Sequence, residues 1–369
     1  MLHIDRAGDF YYVIPSFPYY FDSDTIYRMH RGIVFFNASY NTPDRIKEHN
    51  AKLIKKIVSE KHEYGRKCRF LIDYAISAKN FNYVLSTNFF LLRTEKVSKI
   101  IKNSIEKNWK TAKYGSEVET GLSEDMLNSY IVQANNDDWY EDGSCGIEFP
   151  TPAFSNWNDF EEHMWNLKEA IYEYYGHKYF NPRYGAGGHF NVSSVDFPYN
   201  RYNVTMAIYG FAPLMIYLFQ KKWTARRDPD FRYIAPFDRL LHNIDEKYHF
   251  IHVKDYAYEI RFPDSLYNVD AYLTEAAILT GIVLTATAGK PVAKRLLRYQ
   301  PDYFYRRMIK DELDSMTIFK SLWKQYTKYA IRYLNAYLSD YFVIFERDTS
   351  IDLVSRLNKY VKNPKWRDD

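Results

Sequence analysis

Three short segments of this chain alternate apolar with polar or ionisable residues at a period of two. On a β-strand that spacing sends the two sets to opposite faces. In Gly146–Pro150, Glu148 stands between Ile147 and Phe149. In Gly188–Ser193, His189, Asn191 and Ser193 oppose Phe190 and Val192. In Tyr258–Phe262, Glu259 and Arg261 oppose Tyr258, Ile260 and Phe262. Each segment thus buries one side and aims ionisable groups from the other. If the three belong to one sheet, Glu148, His189, Glu259 and Arg261 meet on its polar face. Carboxylates with an imidazole suit Mg²⁺ or Mn²⁺, and an arginine beside them can grip phosphate oxygens with two hydrogen bonds. The combination predicts a nucleotide-phosphate site. Taken singly, each residue has a plainer reading. Glu148 is then a solvated strand residue, Glu259 and Arg261 a surface ion pair, and His189 a turn or core histidine.

The rest of the chain supplies helices to cover the apolar face. Thr42-Pro43 opens a helix with an apolar stripe of Ile46, Leu53, Ile54, Ile57 and Val58. Residues 69–77 and 83–93 read as strands. Thr94 caps a helix whose apolar face is Val97, Ile100, Ile101 and Ile105. The interval 114–142 is polar and Asn/Asp-rich, and reads as a surface connection with one short helix. Asn158 and Glu161 resemble a capping box, followed by Phe160, Met164, Leu167, Ile171 and Tyr174 at amphipathic spacing. Strands are expected over 184–194 and 248–262, and a helix over 271–287. Beyond Pro291 a helical, aromatic stripe runs Leu313, Met316, Phe319, Leu322, Tyr326, Ala330, Tyr333 and Tyr337. The fold class is therefore α+β, with one domain over residues 1–290 and a helical C-terminal extension over 291–369.

Composition narrows the partners. With 50 Lys+Arg against 46 Asp+Glu, the net charge is +4 and no dense basic tract predicts nucleic-acid binding. The two cysteines, Cys68 and Cys145, sit in no metal-type spacing. They exclude a disulfide scaffold and fit a reducing compartment, so a cytoplasmic location is expected. Met1–Arg6 has no apolar run behind a basic start, so no signal peptide is expected. Val204–Phe219, broken by Pro213, and Ala276–Ala288 fall short of a membrane span and read as buried core. The 36 Tyr and 25 Phe suit an extensive packing surface, as in a homo-oligomer or larger assembly. Richness in Tyr, Asn and Lys also fits an AT-rich genome such as a phage's, which makes a virion component the alternative location.

The segment Tyr258–Gly281 resembles the glutamine synthetase stretch E-x-R-x-P-D, then N, then Y-L and a small-residue helix. The matching residues are Glu259, Arg261, Pro263, Asp264, Asn268, Tyr272, Leu273, Ala276, Ala277 and Gly281. The segment 184–193 resembles the family's N-G-x-G-x-H-x-H-x-S at Gly185, Gly187, His189 and Ser193, with Tyr184 in place of the Asn and Asn191 in place of the second His. Residues 141–152 look like the D-G-S…G-x-E strand of the amidoligase branch. The likeness spans about residues 140–290. It implies a curved, mostly antiparallel sheet of the glutamine synthetase catalytic type, with helices on its outer face. It also implies an ATP-dependent carboxylate–amine ligase working through an acyl phosphate, with Mg²⁺ or Mn²⁺, on an amino acid, peptide or polyamine.

By this resemblance, Glu259 and His189 ligate one metal and Glu148 another. Arg261 contacts the transferred phosphate and, with Glu148, is expected to be catalytic. Asn191 stands on the nucleotide side, and the Gly185–Gly188 backbone, Gly187 included, lines the substrate pocket. The family's E-x-E strand is matched best by 70–76, with Asp73 as a metal carboxylate and Ala75 at the other site. Arg226, Arg227, Arg232 and Arg239 either add phosphate contacts or are surface arginines. The alternative function is a catalytically degenerate fold kept as a binding or structural protein.

Overall fold

The structure is a computed structural model that describes residues 2–7, 10–15, 95–143, 145–180, 187–197, 201–220, 251–290 and 317–365, with isolated positions between 292 and 304. Its centre is a six-stranded antiparallel sheet. The strands are β3 (Lys113–Glu119), β4 (Tyr140–Asp142), β5 (Gly146–Pro150), β6 (Gly188–Ser193), β7 (Ile251–Val253) and β8 (Tyr258–Ile260). They lie in the order β4-β5-β3-β6-β8-β7. A separate hairpin pairs β1 (Leu2–Ala7) with β2 (Phe10–Pro15).

Two strands were not expected. β3 and β4 lie in the interval that reads as a surface connection, and β3 sits between β5 and β6 in the middle of the sheet. The expected strand over 248–262 is a hairpin, β7 and β8, closed by a Lys254 N–H bond to the Ala257 carbonyl at 2.9 Å.

The apolar face carries the predicted residues. Ile147, Phe149, Phe190, Val192 and Ile260 are fully buried, and Phe262 is 7% exposed. Helix α3 (Trp157–Tyr175) covers them, with Phe160, Met164, Leu167 and Ile171 in the core. Helices α1 (Glu95–Lys110) and α2 (Ser129–Ala134) precede it. The cap of α3 is Asn156, whose side chain accepts from Asn158 N–H, so the helix starts ahead of the expected capping box. Tyr174 leaves the stripe: it is exposed, with its ring 6.1 Å from that of Tyr130. An aromatic cluster ties the layers together. Trp109 on α1 meets Tyr114 on β3, and Tyr114 meets Trp157 on α3 with centroids 5.2 Å apart.

Two long helices, α4 (Arg201–Phe219) and α5 (Val269–Thr287), form the hydrophobic centre behind the sheet. Among the described residues the stretch 266–287 is long and apolar enough to cross a membrane, contrary to the sequence reading, yet 94% of it is buried in protein. It is a core helix, as its Thr residues and central place suggest.

The C-terminal helices α6 (Thr317–Tyr337), α7 (Ser339–Thr349) and α8 (Leu353–Lys362) join the same hydrophobic cluster. On α6 the buried set is Trp323, Tyr326, Ala330, Leu334 and Tyr337, while Leu322 of the expected stripe is exposed. Leu313 and Met316 lie outside the described residues. Tyr341 of α7 packs on Gly281 of α5 and donates its hydroxyl to the Ala277 carbonyl at 2.9 Å. A Cβ at Gly281 would press on Tyr341 Cδ1 and lie 2.6 Å from Cε1. Gly281→Ala should therefore cost about 1–3 kcal/mol of overpacking, read as a lower denaturation midpoint.

Asp270, in the first turn of α5, accepts from Lys359 Nζ at 2.8 Å and from the Tyr360 hydroxyl at 2.6 Å on α8. Burial pushes its carboxyl up, but these two hydrogen bonds outweigh burial and hold it below the ordinary aspartate range. A depressed carboxylate stabilises the fold above its unfolded value, and the gain is lost as pH falls through the folded value. Asp270→Asn should thus lower stability at neutral pH. In paired melts, the gap from wild type should close as the solution is acidified below the carboxylate range.

Candidate metal and phosphate site

The strand register decides which side chains meet. Glu119 on β3 faces Glu148 on β5, and Glu117 on β3 faces His189 on β6. Asn191 on β6 and His252 on β7 both face Glu259 on β8. All share the face opposite the apolar layer. The expected convergence of Glu148, His189, Glu259 and Arg261 is present, with one change: β3 lies between β5 and β6 and contributes Glu117 and Glu119.

The sequence reading missed this strand, and with it a true Glu-x-Glu pair. The signal was there: Tyr114, Ser116 and Val118 alternate with Gly115, Glu117 and Glu119. Its charge and short length disguised it as surface. Asp73, Ala75, Tyr184, Gly185 and the four arginines at 226, 227, 232 and 239 lie outside the described residues.

His189 is the hub, 2% exposed. Its Nδ1 lies 3.3 Å from Glu117 Oε2 and 3.3 Å from Glu259 Oε1, and its Nε2 lies 3.3 Å from Glu119 Oε1. Arg261 Nη1 donates to Glu259 Oε1 at 2.6 Å, so the expected ion pair exists, but it is buried and not on the surface. Lys254 Nζ contacts Glu117 and lies 3.4 Å from Glu259 Oε2. His252 Nδ1 lies 3.0 Å from Glu259 Oε2. Asn191 Nδ2 donates to Glu117 Oε1 at 3.3 Å, and the Tyr140 hydroxyl donates to Glu148.

Burial pushes Glu259 up, but the His189 hydrogen bond and the Arg261 charge overwhelm it and hold the carboxyl well below its ordinary range. Glu117 is likewise lowered: burial raises it, and His189 and Lys254 more than compensate. Glu148 goes the other way, raised by burial and by the charges of Glu117 and Glu119. Burial lowers His189, but its bonds to Glu117 and Glu259 win, and the imidazole is held above its usual value.

The donors fall into two groups that fit divalent ions. Glu117, His189 and Glu259 form one, and Glu119, Glu148 and Cys145 the other, with donor atoms in each within 4.8 Å of one another. Three observations support the fit. Glu117, Glu119, Glu148 and Glu259 bring four carboxylates to one face of the sheet. Glu119 and Glu148 are a buried like-charge pair directly across strands, which is repulsive without a cation between them. The buried Nε2 of His189 has no hydrogen-bond partner among the described residues.

The glycines have packing reasons of their own. Gly187 accepts from Glu119 N–H at 2.9 Å, and Gly188 donates to the Pro263 carbonyl at 3.0 Å. A Cβ at Gly188 would strike the Asp264 carbonyl oxygen and lie 2.8 Å from Tyr272 Cε2. These contacts hold β6 against the Pro263–Asp264 turn and so fix His189 beside Glu259.

No protein-family model and no curated protein matches this chain.

Proposed function

We propose that the chain is an ATP-dependent carboxylate–amine ligase of the glutamine synthetase-like type, acting on an amino acid, peptide or polyamine. One observation carries the reading: a single sheet face holds two adjacent groups of metal donors, all buried but the half-buried Glu117, with Arg261 at their edge. Glu117 and Glu259 would hold one divalent ion, Glu119 and Glu148 a second, with His189 between them. Bound there, such ions supply charge that neutralises nucleotide phosphates and the transferred phosphoryl group.

The chain's own residues do the rest. A substrate carboxylate attacks the γ-phosphorus of ATP, ADP leaves, and an amine then displaces phosphate from the acyl phosphate. Arg261, held in place by Glu259, offers a planar fork to the phosphoryl oxygens. Lys254 adds a second positive charge at the same edge. Burial of Glu259, His189 and Arg261 keeps water from the phosphoryl centre, where it would hydrolyse the intermediate.

Glu117 and Glu119 would supply the paired carboxylates that Ala75 leaves incomplete, which favours the active ligase over the degenerate alternative. The test is ADP release with Mg²⁺ or Mn²⁺, screened over pairs of carboxylates and amines. Release should require both substrates of a pair. If no pair is turned over and nucleotide does not stabilise the protein, the binding or structural role takes its place.

A further inference from the structure

We propose that Cys145 is a thiolate ligand in the second cation group, and that this group takes a zinc-class divalent ion where the first takes a hard ion such as Mg²⁺. The inference rests on the two-ion reading of the site and deepens it. Cysteine spacing gave no hint of it, because the partners of Cys145 come from two strands and only one of them is near in sequence.

Cys145, Glu119 and Glu148 are 5%, 5% and 3% exposed, and their donor atoms cluster within 4.8 Å. The second observation is His189, 2% exposed, whose Nε2 has no hydrogen-bond partner among the described residues and lies 3.3 Å from Glu119 Oε1. A buried ring nitrogen aimed into a group of acidic and sulfur donors points to a ligand that the described residues do not supply. Sulfur, nitrogen and carboxylate oxygen are the donors that zinc prefers. The first group offers only oxygen and nitrogen, which suits harder ions.

The backbone is built to bring the thiol in. Cys145 and Glu148 are three residues apart, so an unbroken strand would put them on opposite faces. Gly146 breaks the alternation with φ +106°. A Cβ there would also meet the Leu122 carbonyl oxygen at 2.5 Å and that of Thr120 at 3.0 Å. Ile147 N–H bonds to Leu122 O at 3.0 Å, and Thr120 N–H to Ile147 O at 2.8 Å, so the close approach is fixed by pairing. Only glycine both turns the chain and permits this contact. The kink is placed where it aims Cys145 and Glu148 at the same point.

The test uses the full chain with Cys68→Ser, so that Cys145 is the one thiol, and Co²⁺ as the probe. A thiolate-to-cobalt charge-transfer band in the near ultraviolet is expected, and it should vanish on adding Cys145→Ser. Zn²⁺ affinity should fall at least tenfold, since losing even an outer partner of a ligand costs about 10–100-fold. Two ions bound without the band, or a band that survives Cys145→Ser, overturns the thiolate assignment and leaves the two-ion reading standing. No ion bound in any arm overturns both. Should Cys145→Ser fail to fold, alkylation of Cys145 in the Cys68→Ser protein decides. Protection by Zn²⁺ supports the assignment, and binding without protection overturns it.

Discussion

Arg261→Lys should reduce turnover in the proposed ligase reaction by on the order of 10³-fold or more, the range seen when an arginine that stabilises a phosphoryl transition state is lost. Lysine keeps the charge but is a flexible point donor, so it cannot span two phosphoryl oxygens. The residue is 8% exposed and hydrogen-bonded to Glu259, so some loss of stability is expected as well. That loss must be separated from the catalytic one. A circular dichroism melt shows the fraction folded at assay temperature, and turnover is then compared per folded molecule. A variant that is folded and retains more than about a tenth of wild-type turnover would remove Arg261 from the phosphoryl site.

Glu119→Gln should have opposite effects on the metal-free and metal-loaded protein. Without a cation, Glu119 and Glu148 face each other as buried carboxyl groups, and burial, with the charges of Glu117 and Glu119, pushes Glu148 above its ordinary value. A neutral amide of the same shape relieves that repulsion, so the metal-free variant should melt at or above the wild-type temperature. The variant should also lose most of the stabilisation that divalent ions confer, because one charged donor of the second group is gone. Residues kept for function often cost stability in this way. If Glu119→Gln melts well below wild type without metal and responds to metal unchanged, Glu119 is a structural residue and not a cation ligand.

The pattern of what the sequence revealed follows from the same physics. β5, β6 and β8 were legible because their apolar residues alternate cleanly and are buried on one side. α3 and α5 were legible to within about two residues at each end, the usual uncertainty of helix ends. β3 was not, because burying Glu119 and half-burying Glu117 in a central strand violates the preference of carboxylates for water. A sheet can tolerate that where a cation repays the desolvation, so the failure of the pattern coincides with the site. Cys145 was passed over for a related reason. Its partners are set by a hairpin and a cross-strand register, which linear spacing does not encode. Tyr174 and Leu322 were over-assigned to cores because periodicity cannot say how wide a buried stripe is.

The central claim is that one face of the sheet binds two divalent ions together with nucleotide. The most direct measurement is a Mn²⁺ titration of the metal-free chain with ATP present, counting bound ions by electron paramagnetic resonance and following the melting temperature in parallel. Two ions per chain are predicted, Mn²⁺ standing in for the zinc-class ion at the Cys145 group, and at a concentration 100 times its Kd each ion should add about 2.7 kcal/mol. Glu259→Gln should abolish the first ion and Glu119→Gln the second. A wild-type chain that binds no Mn²⁺ in this titration, and melts at the same temperature with and without Mn²⁺ and ATP, would contradict the claim.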